Sequence, residues 1–318
     1  MVGLTNGEVP VAGADGSGPP WPGGAAWADG RYGPVEEAKI SVLDLGVTRS
    51  DGTYDVVHVW DGRFFRLADH LDRFTASLAR LRLDPGVDRA QLEAILHGCV
   101  RHAGLPEAYV SMTCTRGRLA PGSRDLRTAR PTFYCYAVPF AWVSRPEQQQ
   151  TGARLWVSDL VRIPPASVDP RVKNYHWLDL DLGLLEAYDH GADLVALRDL
   201  SGAITEGPGY NVFAWVDGRW LTPAHGTLKG ITRRTVIELA RAAGEPVEEG
   251  RLTPDDLRRA TEVLITSSAG GVMPVTVVGG QPVGNGAPGP RTGELRDRYW
   301  ASHADPRYAT PVRYEEPG

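Results

Sequence analysis

Lysine is nearly missing from this chain: of 34 basic residues only Lys39, Lys173 and Lys229 are lysines, and the rest are arginines. A guanidinium stays protonated, whereas a lysine ammonium can be shifted toward the free amine by burial. Chemistry that needs a nucleophilic side-chain amine therefore has three candidates. A GC-rich genome accounts for the same ratio, and then a stray lysine is a surface charge. Cysteine is scarce as well. Cys99, Cys114 and Cys135 form no close pair and no CxxC, which argues against a disulfide framework. The eight histidines contain no HExxH and no Cys/His cluster, so no metal site is expected. There is no GxSxG, no Walker loop and no GxGxxG, which removes a hydrolase elbow and the common nucleotide-phosphate cradles. No apolar run approaches membrane-spanning length, and the N-terminus has no basic stretch followed by an apolar one. The net charge is −5 with dispersed basic residues, which does not suit nucleic acid. A soluble, cytoplasmic protein with no membrane or nucleic-acid partner is expected.

What the chain does have is length and apolar content. Its 318 residues and 42% hydrophobic composition suffice for one large domain or two ordinary ones. Residues 1–34 are rich in Gly and Pro and read as an irregular N-terminal arm. Ala38 to Val47 reads as strand. The run Thr53–Trp60, then Asp61-Gly62, then Arg63–Leu67 predicts a hairpin with a two-residue turn. Leu71, Phe74, Leu78 and Leu81 have helical spacing, and Asp88 can cap a second helix that runs to Gly104. Strands follow at 107–115 and 131–139. The sequence divides into an N-terminal α/β domain over 35–140, a linker over 141–152 and a C-terminal domain over 153–318. The C-terminal part predicts strands near 154–159, 193–199 and 261–266, a hairpin around Asp217-Gly218, and helices near 177–190, 231–243, from Thr253-Pro254 and near 291–302. Hairpin-linked strands imply a two-domain α+β or α/β chain with mixed or antiparallel sheets, not a Rossmann layout.

Three segments carry chemistry. Gly230-Ile231-Thr232 precedes a helical pattern, so it is either an ordinary helix start or an anion site at a helix N-terminus. Ser267-Ser268-Ala269-Gly270-Gly271 follows a strand, and is either a small-residue turn or a cradle of hydroxyls and open amides. Glu206, flanked by Gly and Pro, is either a solvated turn or a fixed anion that holds a proton on a heterocycle.

Taken in order, Arg49-Ser50-Asp51-Gly52-Thr53-Tyr54, Asp69-His70-Leu71-Asp72-Arg73-Phe74, Thr115-Arg116-Gly117, Val172-Lys173-Asn174, Thr205-Glu206-Gly207, Lys229-Gly230-Ile231-Thr232-Arg233 and Ser267-Ser268-Ala269-Gly270-Gly271 resemble the fold-type IV pyridoxal-phosphate aminotransferases. The likeness spans about residues 38–302. Tyr54-Asp55-Val56 and Tyr136-Ala137-Val138-Pro139 are most similar to the (R)-selective amine transaminases, with D-amino acid and branched-chain aminotransferases as further relatives. The resemblance implies a small N-terminal α/β domain and a larger C-terminal mixed-sheet pseudo-barrel domain, pyridoxal 5′-phosphate as cofactor, and a homodimer or higher homo-oligomer. It implies an amino group moved from an (R)-amine or D-amino acid to a keto acid such as pyruvate. A D-amino acid or branched-chain transaminase, or a lyase using the same cofactor, is the alternative.

The roles it implies are specific. Lys173 would carry the cofactor and move the proton at the substrate α-carbon. Glu206 would hold the pyridine nitrogen. Arg73, Ile231, Thr232, Ser267 and Ser268 would surround the phosphate. Arg49, Tyr54, Val56, Arg124, Leu126 and Ala269 would line the substrate site, with Arg124 meeting a carboxylate. Leu126 departs from the histidine that D-amino acid aminotransferases tend to place there, and Arg49 from the histidine common in amine transaminases. Both departures bear on substrate, not on cofactor.

Overall fold

The computed structural model describes residues 20–314, which fall into two units: the described residues up to Phe140 together with those from Ala309, and the residues between. The expected arm over 1–34 lies outside the described residues up to position 19. From there it differs from the expectation. Ala25–Ala28 (β1) and Arg31–Pro34 (β2) form a hairpin whose first strand pairs antiparallel with Arg130–Pro139 of the same unit. Four-residue strands give too few positions for an alternating pattern, and their partner is about a hundred residues away in sequence, so neither is visible locally.

The expected strand over Ala38–Val47 is likewise replaced. Its chain is irregular and then enters a short helix, Leu45–Arg49 (α1). Asp44 explains this. It is fully buried, its Oδ1 accepts from Gly46 N at 2.7 Å as an N-cap, and its Oδ2 accepts from Thr132 Oγ1 at 2.8 Å. Val42, Leu43 and Val47, the apolar residues that suggest a strand, are all exposed.

The rest of the first unit follows local signals. Gly52–Trp60 (β3) and Arg63–Phe65 (β4) are joined by Asp61 (φ 49°) and Gly62 (φ 66°), the left-handed pair that a tight hairpin turn requires. Leu67–Leu81 (α2) buries Leu67, Leu71, Phe74 and Leu78. Arg89–Ala103 (α3) begins with a capping box: Asp88 Oδ1 accepts from Gln91 N and Gln91 Oε1 accepts from Asp88 N, each at 2.8 Å. It ends at Gly104 in the left-handed region (φ 64°). Ala108–Arg118 (β5) and Arg130–Pro139 (β6) complete a seven-stranded antiparallel sheet ordered Ala309–Pro311, β4, β3, β5, β6, β1, β2. Gly117 sits where the β5–β6 register shifts, at φ 70°, and a Cβ there would overlap the Arg130 carbonyl. Its neighbour Arg116 holds Asp51 through Nε at 3.0 Å and Nη2 at 3.1 Å, and reaches Leu81 O at the end of α2. The Thr115-Arg116-Gly117 segment is thus built into the sheet and its junction with α2.

The second unit starts with the residues expected to be a linker. They include a short helix, Gln148–Thr151 (α4), and are tied in by Val143 N to Ala269 O at 2.8 Å and Arg296 Nη1 to Gln149 O at 2.8 Å. Its strands are Ala153–Val161 (β7), Leu194–Arg198 (β8), Glu206–Gly207 (β9), Tyr210–Val216 (β10), Arg219–Pro223 (β11), Val247–Gly250 (β12), Glu262–Ser267 (β13), Gly271–Val278 (β14) and Gln281–Pro282 (β15). They form one sheet ordered β12, β11, β10, β13, β14, β7, β8, with β9 on β10 and β15 on β14. β11–β12, β14–β7 and β7–β8 are parallel and the other pairs antiparallel, so the sheet is mixed. Its helices are Leu178–Asp189 (α5), Ile231–Ala242 (α6), Pro254–Arg259 (α7) and Pro290–Ala301 (α8). Both sheets bury an apolar core of their own, around Val57, Phe64 and Phe74 in the first unit and Val212, Val263 and Ile265 in the second. No helix among the described residues is long and apolar enough to cross a membrane.

Candidate active site

Of the three lysines, Lys39 is exposed in irregular chain, and Lys229 is bound through Nζ to Ala224 O at 2.7 Å with Glu249 3.7 Å away. Lys173 is placed differently. It is half-buried in the irregular segment between β7 and α5, between the buried residues Val172 and Asn174. Asn174 fixes the segment. Its Nδ2 donates to Val172 O at 2.9 Å, its Oδ1 accepts from His176 N at 3.0 Å, and its backbone O accepts from Trp177 Nε1 at 3.1 Å.

Glu206 is a buried carboxylate with three donors. Oε1 accepts from Arg162 Nε at 3.1 Å. Oε2 accepts from Leu228 N at 2.8 Å and Thr227 Oγ1 at 3.1 Å. A buried charge persists when it is paired and hydrogen-bonded in this way. Arg162 is buried in turn. Its Nη1 donates to both oxygens of Asp179, at 2.9 and 2.8 Å, and to His176 O at 3.2 Å. Burial alone would lower its pKa, but Glu206 and Asp179 outweigh burial and hold the guanidinium above its ordinary value. Arg162 therefore joins Glu206 to the segment that carries Lys173. The solvated-turn alternative for Glu206 is excluded by its burial.

The opposite end of the constellation is built from one sheet face. In the β9–β10–β13 register Glu206 lies opposite Asn211, and Asn211 opposite Thr266, so the three side chains share a face. Asn211 Nδ2 donates to Thr227 Oγ1 at 2.7 Å and Leu228 O at 2.9 Å, which shapes the loop into α6. That helix begins at Gly230, which packs on Asn211 so closely that a Cβ would overlap Asn211 Oδ1. Gly230 brings no side chain to the helix end, and the first-turn amides are open to an external anion. Thr232 in that first turn is buried. Thr266 Oγ1 is a buried hydroxyl with no hydrogen-bond partner on the same face. A missing partner of this kind is what a ligand oxygen supplies.

Thr266 is not among the residues that the sequence singles out, and its signal there is weak: one hydroxyl at the end of Val263-Leu264-Ile265. Ser267, which the resemblance does place at the phosphate, alternates to the other face, and its Oγ accepts from Ala269 N at 3.1 Å within the turn. Ser268 and Ala269 belong to that turn. A carboxylate at one end, an open helix N-terminus and an orphan hydroxyl at the other fit a ligand with a ring nitrogen and a phosphate. Among the described residues no group of three His, Cys, Asp or Glu could hold a metal ion.

The remaining expected residues belong to the first unit. Arg73, on α2, grips Asp55 with Nε and Nη2, both at 2.7 Å, and His70 Nδ1 lies 2.8 Å from the same carboxylate. Burial of Asp55 opposes ionisation, but Arg73 and His70 outweigh it and hold the carboxyl well below the usual range. Tyr54 and Val56 are buried on the face of β3 opposite to Asp55, away from the helix-packed core. Arg49 is exposed at the end of α1, and Arg124 and Leu126 are exposed in the loop between β5 and β6.

Residues 52–278 match the family model described as amino-transferase class IV. The chain belongs to the class IV aminotransferases. It is 31% identical to a putative branched-chain-amino-acid aminotransferase of Methanocaldococcus jannaschii over 86% of this chain and 94% of that one. It is 30% identical to the D-alanine aminotransferase of Bacillus licheniformis, over 83% and 92% of the two chains. Among solved structures it is similar to the T.th. branched-chain amino acid aminotransferase with pyridoxamine 5′-phosphate, at TM-score 0.85 and 30% identity over 92% of this chain and 100% of that one. This class IV enzyme has the fold-type IV architecture and uses pyridoxal 5′-phosphate.

Proposed function

We propose that this aminotransferase takes its amino group from an (R)-amine or a D-amino acid and delivers it to a keto acid such as pyruvate, in two alternating half-reactions. The observation that carries the catalytic part is the buried Glu206, held by Arg162, Thr227 and Leu228 and linked through Arg162 to the Lys173 segment. The cofactor, when bound, supplies an electrophilic carbon for the amine and a ring that draws electrons from the α-carbon. The chain does the rest. Lys173 would hold the resting cofactor through its ε-nitrogen and, once the incoming amine displaces it, would take and return the α-proton as a free amine. Glu206 holds a proton on the ring nitrogen. Ile231 and Thr232, with the hydroxyls of Thr266 and Ser268, would bind the phosphate at the start of α6.

The substrate preference is supported by two neighbours in one loop. Arg124 offers a cation for a carboxylate, and Leu126, half exposed at 50%, offers an apolar surface for an uncharged substituent. The D-alanine aminotransferase relatives favour the D-series. A branched-chain amino acid preference is the second reading, favoured by the Methanocaldococcus and T.th. relatives. The exposed apolar side chains of Leu178, Leu182, Leu185 and Tyr188 along α5 support assembly as a homodimer or higher homo-oligomer. The cytoplasm is the compartment that suits such an enzyme.

The test is a single-turnover panel followed through the cofactor spectrum. (R)-1-phenylethylamine and D-alanine should convert the enzyme faster than L-leucine. Conversion by L-leucine alone would replace the first reading with the second.

A further inference from the structure

The glutamate–pyridine contact expected here needs more than a carboxylate. It needs the carboxylate at a set distance from the lysine that holds the other side of the ring. Glu206 and Lys173 lie on separate pieces of chain, one on a two-residue strand and the other in an irregular segment. Arg162 bonds both pieces. Its Nε donates to Glu206 at 3.1 Å, while its Nη1 donates to His176 O at 3.2 Å, three residues after Lys173. The same Nη1 donates to Asp179 in the first turn of α5, and Asp179 also accepts from Ile163 N at 2.8 Å and Leu180 N at 2.9 Å. The Arg162 backbone is anchored by its N–H to Arg198 O at 2.8 Å. The guanidinium is thus held at Nε and at Nη1, and the residue at its backbone.

The charges point the same way. A guanidinium beside Glu206 alone would neutralise it and leave the ring nitrogen little to bind. Asp179 answers that charge from the other tip. Two carboxylates and one guanidinium leave one negative charge, and Oε1 of Glu206, which takes one bond where Oε2 takes two, keeps acceptor capacity for the ring.

We propose that Arg162, balanced by Asp179, is the positioning residue that sets Glu206 relative to the Lys173 segment. This rests on the transaminase reading above. Lysine cannot take the place of Arg162, because one ammonium cannot occupy both the Nε and the Nη1 sites of a rigid fork.

The experiment compares Arg162→Lys, which keeps the charge, with Arg162→Met, which removes it. Two signals are read besides turnover. Hydrogen exchange of peptides spanning 172–179 is measured in cofactor-free protein, and circular dichroism in the cofactor absorption band is measured at matched cofactor content. Both variants should raise exchange across 172–179 about tenfold, lose most of the cofactor-band dichroism and lower the half-reaction rate more than tenfold. Wild-type values in Arg162→Lys would overturn the proposal, since charge alone would then suffice. Unchanged exchange and dichroism in both variants would overturn it too. If the Arg162 variants do not fold, Asp179→Asn tests the tether from the other tip and should raise the same exchange; no rise there refutes it. Borohydride fixation of pyridoxal phosphate to the Lys173 peptide in the wild-type chain is the separate control. Its failure sinks the transaminase reading, whereas fixation with unaffected variants sinks only the role of Arg162.

Discussion

Asp55→Asn should destabilise the first unit by about 3–5 kcal/mol, the usual cost of breaking one partner of a buried ion pair. Asp55 has no exposed surface. It accepts from Arg73 Nε and Nη2 and from Val56 N at 2.7 Å, and faces His70 Nδ1 at 2.8 Å. Asparagine keeps the volume and one acceptor, but turns the other oxygen into a donor aimed at a donor. Urea unfolding at pH 7 measures the loss. The same substitution in an Arg73→Met background isolates the pair, and there it should cost less than about 1 kcal/mol. Because the carboxyl of Asp55 is held below its unfolded value, its stabilisation is fully present above about pH 4 and fades as pH falls toward the folded value. The penalty should therefore shrink in acid. Equal losses in both backgrounds, or a pH-independent loss, would refute the assignment of this energy to the Asp55–Arg73 pair.

Lys173→Ala should lose the half-reactions by about 10²- to 10⁴-fold from proton transfer alone, while cofactor still binds through the α6 end; normal turnover refutes the assignment. Arg124→Ala should harm the half-reaction with a keto acid more than the one with an uncharged amine, and equal losses in stopped-flow traces would remove the carboxylate role. Burial pushes His97 and His303 down to about 4 and lowers His70 as well. The unfolded chain then takes up protons first between about pH 6.5 and pH 4, and stability should fall over that window by about 2 kcal/mol for each of His97 and His303. A urea midpoint that stays flat between about pH 7 and pH 4.5 would contradict this.

The elements legible in the sequence are those whose cause is local. The capping box of Asp88 with Gln91, the left-handed stop at Gly104 and the Asp61-Gly62 turn each sit within a few residues of what they determine. The strand expected over 38–47 fails because Asp44 is decided by Thr132, far along the chain. The site divides the same way. Lys173 and Glu206 stand out by residue type and by motif. Arg162 does not, because the partners that give it meaning are at 176, 179 and 206, and one arginine among so many carries no signal. Thr266 is invisible for a different reason: strand alternation, not residue type, selects it over Ser267.

The strand Ala309–Pro311 lies along β4, Val312 enters the core beneath it, and Arg313 N donates to His97 Nδ1 at 3.1 Å. During synthesis the amino-terminal sheet must therefore wait, one margin bare, until the codons for these residues have been translated. The middle of the polypeptide is free to fold before the beginning is finished, which reverses the order in which a ribosome ordinarily releases completed domains.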